Sequence, residues 1–328
     1  QAGWFPAAGQ GGGVTRYLLH RLAFLVPVLL GMSLIVFVIM SLIPGDPALA
    51  ILGPYATEEN LVRLRAELGL DKPALQRYLG WLGDLLQGEL GRSVTLERPV
   101  IDELRERLGP TLLLAGSALA LATCFGLAAG MVAALHHRRW PDRALTVLVL
   151  HGISTPSFWL ALLLMLIFGV WLGWLPVSGM LPAYGEGGAL DLLRHLALPT
   201  ISLALVAGGV IARLARAAAL EVLSEPFVRM ARARGLGPRE VIARHLFKNL
   251  VARMTPVIGL QAGFVLGGAA YIETVFQWPG VGRMLVTAIA SRDLLLVQGG
   301  VLVLGVGYVL VNLLTDILQH WLDPRIRL

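Results

Sequence analysis

This sequence predicts an all-α integral membrane protein with six membrane-spanning helices. The prediction rests on an excess of apolar residues, six uncharged stretches long enough to hold a span, and a charge asymmetry that requires an even number of crossings. Of 328 residues, 56% are hydrophobic and 15% charged, against about 25% charged in an ordinary soluble domain. A helix needs about 20 apolar residues to cross the hydrocarbon core. Stretches 22–45, 108–137, 144–185, 195–212, 254–272 and 294–315 contain no Asp, Glu, Lys or Arg. Each holds one span, the fourth and fifth borrowing a residue or two at their ends.

Stretch 144–185 is the ambiguous one, too long for one span and barely long enough for two. Parity resolves it. With six spans, segment 213–253 and its nine Lys or Arg share a side with the N-terminus, the 136–143 loop and the C-terminus. That side then carries 16 Lys and Arg against 6 Asp and Glu, and the opposite side 11 against 15. The positive-inside bias puts both termini in the cytoplasm. Residues 171–184, with Pro176 and Pro182, become an outer-face turn bearing an aromatic belt. The formal net charge of +6 is spread between spans, so the basic residues read as topology signals and not as a nucleic-acid surface.

Along the chain, residues 1–15 read as a flexible tail and 16–328 as one transmembrane domain. The basic start at Arg16 and Arg21 before a long apolar run resembles a signal sequence, but no Ala-x-Ala site ends it, so an uncleaved first span is expected. The single cysteine, Cys124, has no intrachain partner and is expected as a small buried hydrophobe. Segment 46–107 is a polar insert on the outer side. Within it, Thr57 is placed to cap a helix bearing Leu61, Leu64 and Leu68 that ends at Gly69. Pro73 suits the first position of a second helix with Leu75, Tyr78, Leu79, Leu82 and Leu86 on one face. Such helices serve as packing surface or lie against the membrane.

The cytoplasmic segment 224–253 carries the most information. Pro226 suits a first turn, Gly235 a left-handed C-terminal cap, and Pro238 the start of another helix with Val241, Ile242, Leu246, Leu250 and His245 along one stripe. Two readings fit: a knob that enters a groove in a soluble partner, or a basic helix resting on anionic lipid. Outside it, Pro44, Gly45, Asp46 and Pro47 read as a helix stop. Glu273 and Asp316 border apolar stretches and are placed at the outer and inner interfaces. Trp278, Pro279 and Gly280 form either an interfacial turn or part of a re-entrant element.

Catalysis within the chain is not supported. The two lysines, Lys72 and Lys248, follow Asp71 and Phe247, so no Gly-Lys phosphate loop exists. No His precedes a Glu and no Ser lies in a Gly-x-Ser-x-Gly turn. His151, Cys124 and nearby methionines do not make a metal site, lacking a second fixed ligand. An ion-coupled carrier would place ionisable groups at mid-membrane, where these stretches have almost none.

The run Arg229, Met230, Ala231, Arg232, Ala233, Arg234, Gly235, Leu236 resembles the loop by which ABC importer permeases of the dipeptide, oligopeptide and nickel branch engage their ATPases. His245, Leu246, Lys248 and Asn249 partly match the pattern that follows, with Arg253 in place of its proline. The likeness extends over most of the chain, through 43–47, 67–73, 88–93, 154–159, 176–179, 278–283 and 323–327. It is closest to the first permease of dipeptide and oligopeptide importers, which has a long insert after its first span. The resemblance implies a type I importer permease fold with a coupling helix at Arg229, Ala231, Arg232, Ala233, Gly235, Leu236, Gly237 and Pro238. It further implies an outer gate or binding-protein contact at Asp46, Glu273, Trp278, Pro279 and Gly280. Implied partners are a second permease, one or two kinds of cytoplasmic ATPase that bind ATP and Mg, an extracytoplasmic binding protein, and the lipid of a bacterial inner membrane. No cofactor or metal is expected in this chain. Dipeptides or oligopeptides are the expected cargo, with nickel, glutathione or another small solute as alternatives.

Overall fold

A computed structural model describes residues 12–42, 46–53, 56–67, 69–182 and 187–322. Residues 1–11, the motifs at 43–45 and 323–327, Leu68 and Tyr184 lie outside these. The described chain is helical, with one isolated antiparallel bridge between Arg92 and Pro99. Its helices are α1 (Gly12–Leu42), α2 (Pro47–Leu52), α3 (Glu58–Glu67), α4 (Ala74–Leu86), α5 (Val100–Leu135), α6 (Trp140–Ser154) and α7 (Ser157–Leu164). There follow α8 (Ala189–Ser224), α9 (Pro226–Ala233), α10 (Pro238–Glu240), α11 (Lys248–Val275), α12 (Val281–Ala290) and α13 (Leu294–Leu322). Helix α1 already runs at Gly12. The 46–107 insert holds α2 to α4 and also the first two turns of α5.

Among the described residues, five helices are long and apolar enough to cross a membrane: α1, α5, α8, the continuous run Pro238–Val275, and α13. The sixth crossing is broken. Helices α6 and α7 meet at Thr155 and Pro156 with a bend of 106°, because the proline disfavours helical backbone at the residue before it and supplies no N–H. Contacts along the helices fix the parity. Ser117 pairs with Thr200 at 2.8 Å, and further along Gly126 meets Ile211 and Gly130 meets Ala215, so α5 and α8 run parallel. On α6, Asp142 meets Arg216 and Ile153 meets Gly209, so α6 runs back against both. The bent pair therefore makes the single return crossing that the charge count requires.

The α5–α8 seam forms the core. Ala118, Ala122, Gly126, Ala133 and Ala134 of α5 are buried, as are Ala204, Ala207, Ile211, Ala215 and Ala219 of α8. Small residues let membrane helices approach until their backbones touch, which is what drives association where lipid is as apolar as leucine. At Gly130 a Cβ would stand 2.6 Å from the Ala212 carbonyl oxygen, and at Gly126 2.6 Å from Ile211 Cγ2. Cys124 lies off this seam and is exposed. The expectation of a buried cysteine fails because the face that packs is set by Ala122 and Gly126, two residues to either side.

The insert differs from expectation in one helix. Thr57 caps α3 through the Asn60 N–H at 3.3 Å, and Gly69, at φ +61°, ends it as expected. In α4, Pro73 stands just before the helix, and the packed face is buried Tyr78 and Trp81 with half-buried Leu82 and Leu85, while Leu75, Leu79 and Leu86 are exposed. The aromatic pair decides the rotation. Tyr78 stacks near Trp81 and against Phe37 of α1, and its hydroxyl lies 2.8 Å from Ser33 Oγ.

Candidate functional sites at the two faces

The segment from Ser224 to Phe247 folds as a helix–glycine–helix knob. Helix α8 stops where Glu225 is extended, and Pro226 opens α9 with a φ suited to a first turn. Gly235 takes φ +86°. Its N–H bonds to the Arg232 carbonyl at 3.0 Å, and the Leu236 N–H reaches back to Ala231 at 3.3 Å. These two bonds make a Schellman cap, which requires a left-handed residue at the position of Gly235. Gly237 then turns the chain and Pro238 starts the next helix.

Beyond Pro238 the helix widens to i→i+5 bonding over Val241–Phe247. This brings Val241 and Leu246 onto one buried face, although five residues would diverge in a regular α-helix. Leu250 continues the face, and Val228 and Ala231 of α9 are buried against the same cluster, with Leu236 and Ile242 packed beside it. The stripe predicted from sequence is thus present, and the widened turn was not foreseen. The other side of the knob is open. Arg229, Arg232, Ala233, Arg234, Gly235, Gly237, Pro238 and Arg239 are exposed, with Phe227 and Met230 beside them. Among the described residues no carboxylate pairs with Arg229, Arg232, Arg234 or Arg239, whereas Arg244 pairs with Glu240 and Arg253 with Glu221.

At the opposite face, Glu273 lies at the end of the same long helix. Its carboxylate is enclosed by the protein, and the residue has 0% exposure. Thr111 Oγ1 donates to it at 2.7 Å, the Arg283 N–H at 2.9 Å, and the Gly282 N–H also bonds to it. The last two amides belong to the first turn of α12, where unpaired N–H groups and the helix dipole favour negative charge. Thr111 also accepts the Val281 N–H at 2.8 Å. One carboxylate and one hydroxyl therefore tie α5, α11 and α12 together.

Gly280 fits because a Cβ there would stand 2.2 Å from the Glu273 carboxyl carbon. Trp278 is fully buried and donates Nε1–H to the Pro110 carbonyl at 2.9 Å, with Pro279 half-buried next to it. Sequence reasoning singled out Glu273, Trp278, Pro279 and Gly280, and the fold brings them together. Asp46 stands in a separate arrangement. It caps α2 through the Ala48 N–H at 3.0 Å and takes both Nε and Nη2 of Arg65, at 2.8 and 2.6 Å. Partial burial pushes its carboxyl up, but the Arg65 bonds and the Ala48 N–H outweigh this and hold it below the ordinary value of 3.8.

Two polar clamps escaped the sequence. Asp293 caps α13 and accepts from the hydroxyls of Ser93 and Thr95 at 2.5 Å each, closing the insert onto the last span. At the face that carries the knob, Asp142 takes a bidentate fork from Arg216 at 2.6 and 2.8 Å and the Arg138 N–H at 2.9 Å. Both pairings join residues far apart in the chain, and no local pattern announces them. Among the described residues no cluster of His, Cys, Asp and Glu could hold a metal ion.

Comparison with known proteins agrees with this architecture. Residues 126–328 match the model of the family described as the binding-protein-dependent transport system inner membrane component, and residues 14–115 match the N-terminal model of such membrane components. A protein named as a peptide permease in Brucella ovis is 40% identical over 315 residues, covering 95% of this chain and 99% of its own. The glutathione transport system permease protein GsiC of Escherichia coli K12 is 38% identical over 312 residues, with the same coverage of each. Among solved structures, an inward-facing form of the MetNI methionine ABC transporter aligns with TM-score 0.58 and 15% identity, over 68% of this chain and 97% of that one. With both family models matched in order and relatives aligned end to end, the chain belongs to the inner membrane permease components of binding-protein-dependent ABC importers.

Proposed function

We propose that this chain forms part of the translocation path for dipeptides and oligopeptides across the bacterial inner membrane, driven by ATP hydrolysis in cytoplasmic partner subunits. The observation that carries the reading is the knob at 224–253, a rigid turn with an exposed cationic surface at the start of a helix that spans the molecule. ATP and Mg belong to the ATPase partners. A second permease completes the path, and an extracytoplasmic binding protein delivers cargo. The charge asymmetry supports cytoplasmic termini, with insert 46–107 outside. The names of the relatives support peptide cargo, and those named for glutathione, itself a tripeptide, make glutathione the second reading.

The geometry suggests how force is carried. Pro238–Val275 is one run of 38 residues, about 57 Å at 1.5 Å per residue. Its inner end is the knob and its outer end is Glu273, pinned to α5 and α12. ATP and the loaded binding protein shift the transporter only insofar as each binds one conformation better than the other. One continuous helical run shared by the two ends lets both act on the same two states. Glu273 and Trp278 are enclosed by this chain, so their part in the outer gate runs through the placement of α12 and not through touching the binding protein.

The test is Gly235→Trp against Arg239→Ala at matched expression. A side chain at Gly235 meets a left-handed backbone cost of about 1–2 kcal/mol, and tryptophan also fills the space in front of the knob. Membrane insertion should be unchanged, with ATPase recovery in the purified complex or peptide uptake falling at least about tenfold, a loss of roughly 1.4 kcal/mol in coupling. Arg239→Ala should be far milder. Normal recovery and uptake in Gly235→Trp would reject the coupling surface in favour of a lipid-resting basic helix.

A further inference from the structure

We propose that the inner end of α6 binds an anionic phospholipid, with its headgroup on Arg143 and Arg213 and its acyl chains in two grooves flanking the helix. On one side, α5, α6 and α8 leave a cavity of about 210 Å³ floored by Gly130, Ala133, Val149 and Leu150 and rimmed by Arg213 and Arg216. On the opposite side of α6 lies a more open groove of about 680 Å³ lined by Arg143, Ala144, Val147, Leu148 and His151. Both grooves are apolar along their length and cationic at one end. They open where the chain enters the spanning part of α6.

The charge here is not cancelled from within. Asp142 is the acid of the 136–143 loop, and it is buried under the Arg216 fork and the Arg138 N–H. The next acid along α8, Glu221, pairs with Arg253. Among the described residues, Arg138, Arg139, Arg143 and Arg213 are thus left without a carboxylate partner. Trp140, 79% exposed, stands beside them, as aromatic residues do at a membrane–water interface.

One ligand class has both halves of this chemistry. A soluble protein would not reach the exposed Val147 and Leu148 on a spanning helix. An apolar protein face would cover them but bring no negative charge to the exposed arginine row. A phospholipid with a negative headgroup meets the arginines and fills the grooves with hydrocarbon, as basic pockets between spanning helices do elsewhere.

The full chain, purified in mild detergent, is titrated with phosphatidylglycerol, phosphatidylcholine or inorganic phosphate, and bound lipid is counted by native mass spectrometry. The variant Arg143→Gln with Arg213→Gln is compared with Arg194→Gln, a control on α8 away from the site. Wild type and control should retain phosphatidylglycerol over phosphatidylcholine, and the double variant should lose roughly thirtyfold of that preference, about fivefold per arginine. A photo-crosslinking residue at Leu148 in native membranes should label lipid. Three results would overturn the proposal: an undiminished preference in the double variant, inorganic phosphate competing as well as the intact lipid, or Leu148 crosslinking to the second permease instead of lipid.

Discussion

Glu273 shows how a single carboxylate can be affordable inside a membrane protein. Its carboxylate oxygens are satisfied by the first turn of α12 and by Thr111, 162 residues away in the chain. From the sequence one reads an acid at the end of an apolar stretch, for which an interfacial position is the cheaper solution. Nothing local reveals that distant amides will satisfy it. Thr111→Val keeps the shape but leaves the Val281 N–H unpaired and removes one donor from Glu273. Each buried polar group left unmade costs about 1–3 kcal/mol. Thermal unfolding in detergent should show that loss, and limited proteolysis should open the α11–α12 turn; stability equal to wild type would show that the tie carries no load. Asp46 and Arg65 make a weaker test by pH. Because the folded carboxyl titrates below 3.8, the pair's contribution is complete above that value and disappears as pH falls through the lower folded one. The effect is small, about 1 kcal/mol or less for a surface pair, and Asp46→Asn should remove this part of the acid dependence.

At the scale of elements, what repeats locally was legible and what depends on partners was not. The Gly235 and Gly69 caps follow from a residue that can adopt positive φ at the end of a helical pattern. The face of α4 could not be read in the same way. Leu75, Leu79 and Leu86 form as good an apolar stripe as Tyr78, Trp81 and Leu85, and contacts from α1 and α13, among them Ser33, Phe37 and Leu302, select between them. The excess length of stretch 144–185 was legible, but it was assigned to a turn at 171–184, and the bend at Pro156 within the crossing was not foreseen. The widened turn at Val241–Phe247 had no sequence signal, since i→i+5 bonding is selected by the buried cluster that Val241 and Leu246 must both reach. These assignments separate by mutation. Trp81→Ala, removing a buried aromatic, should destabilise by about 3–5 kcal/mol, whereas Leu79→Ala, 56% exposed, should stay within about 0.5 kcal/mol of wild type. Comparable losses in both, read by thermal unfolding, would return α4 to the orientation its leucines suggest.

Across the whole molecule, the six-span topology was legible because charge-free length and positive-side bias are sums over many residues, and no single pairing decides them. The helix contacts agree with that parity independently: the 136–143 loop, the knob and the ends of α8 and α13 lie at one face, and the insert, α12 and Glu273 at the other. The run Pro238–Val275 connects the two faces, and the proposed role takes the energy for import from ATPase subunits. The most direct measurement reconstitutes this chain in proteoliposomes with its second permease and ATPases, adds loaded binding protein, and follows ATP hydrolysis and labelled tripeptide uptake together. The predicted result is uptake that requires ATP, binding protein and the ATPase subunits, with no hydrolysis by the isolated chain. Hydrolysis by this chain alone, or uptake that proceeds undiminished without ATP, would contradict the account.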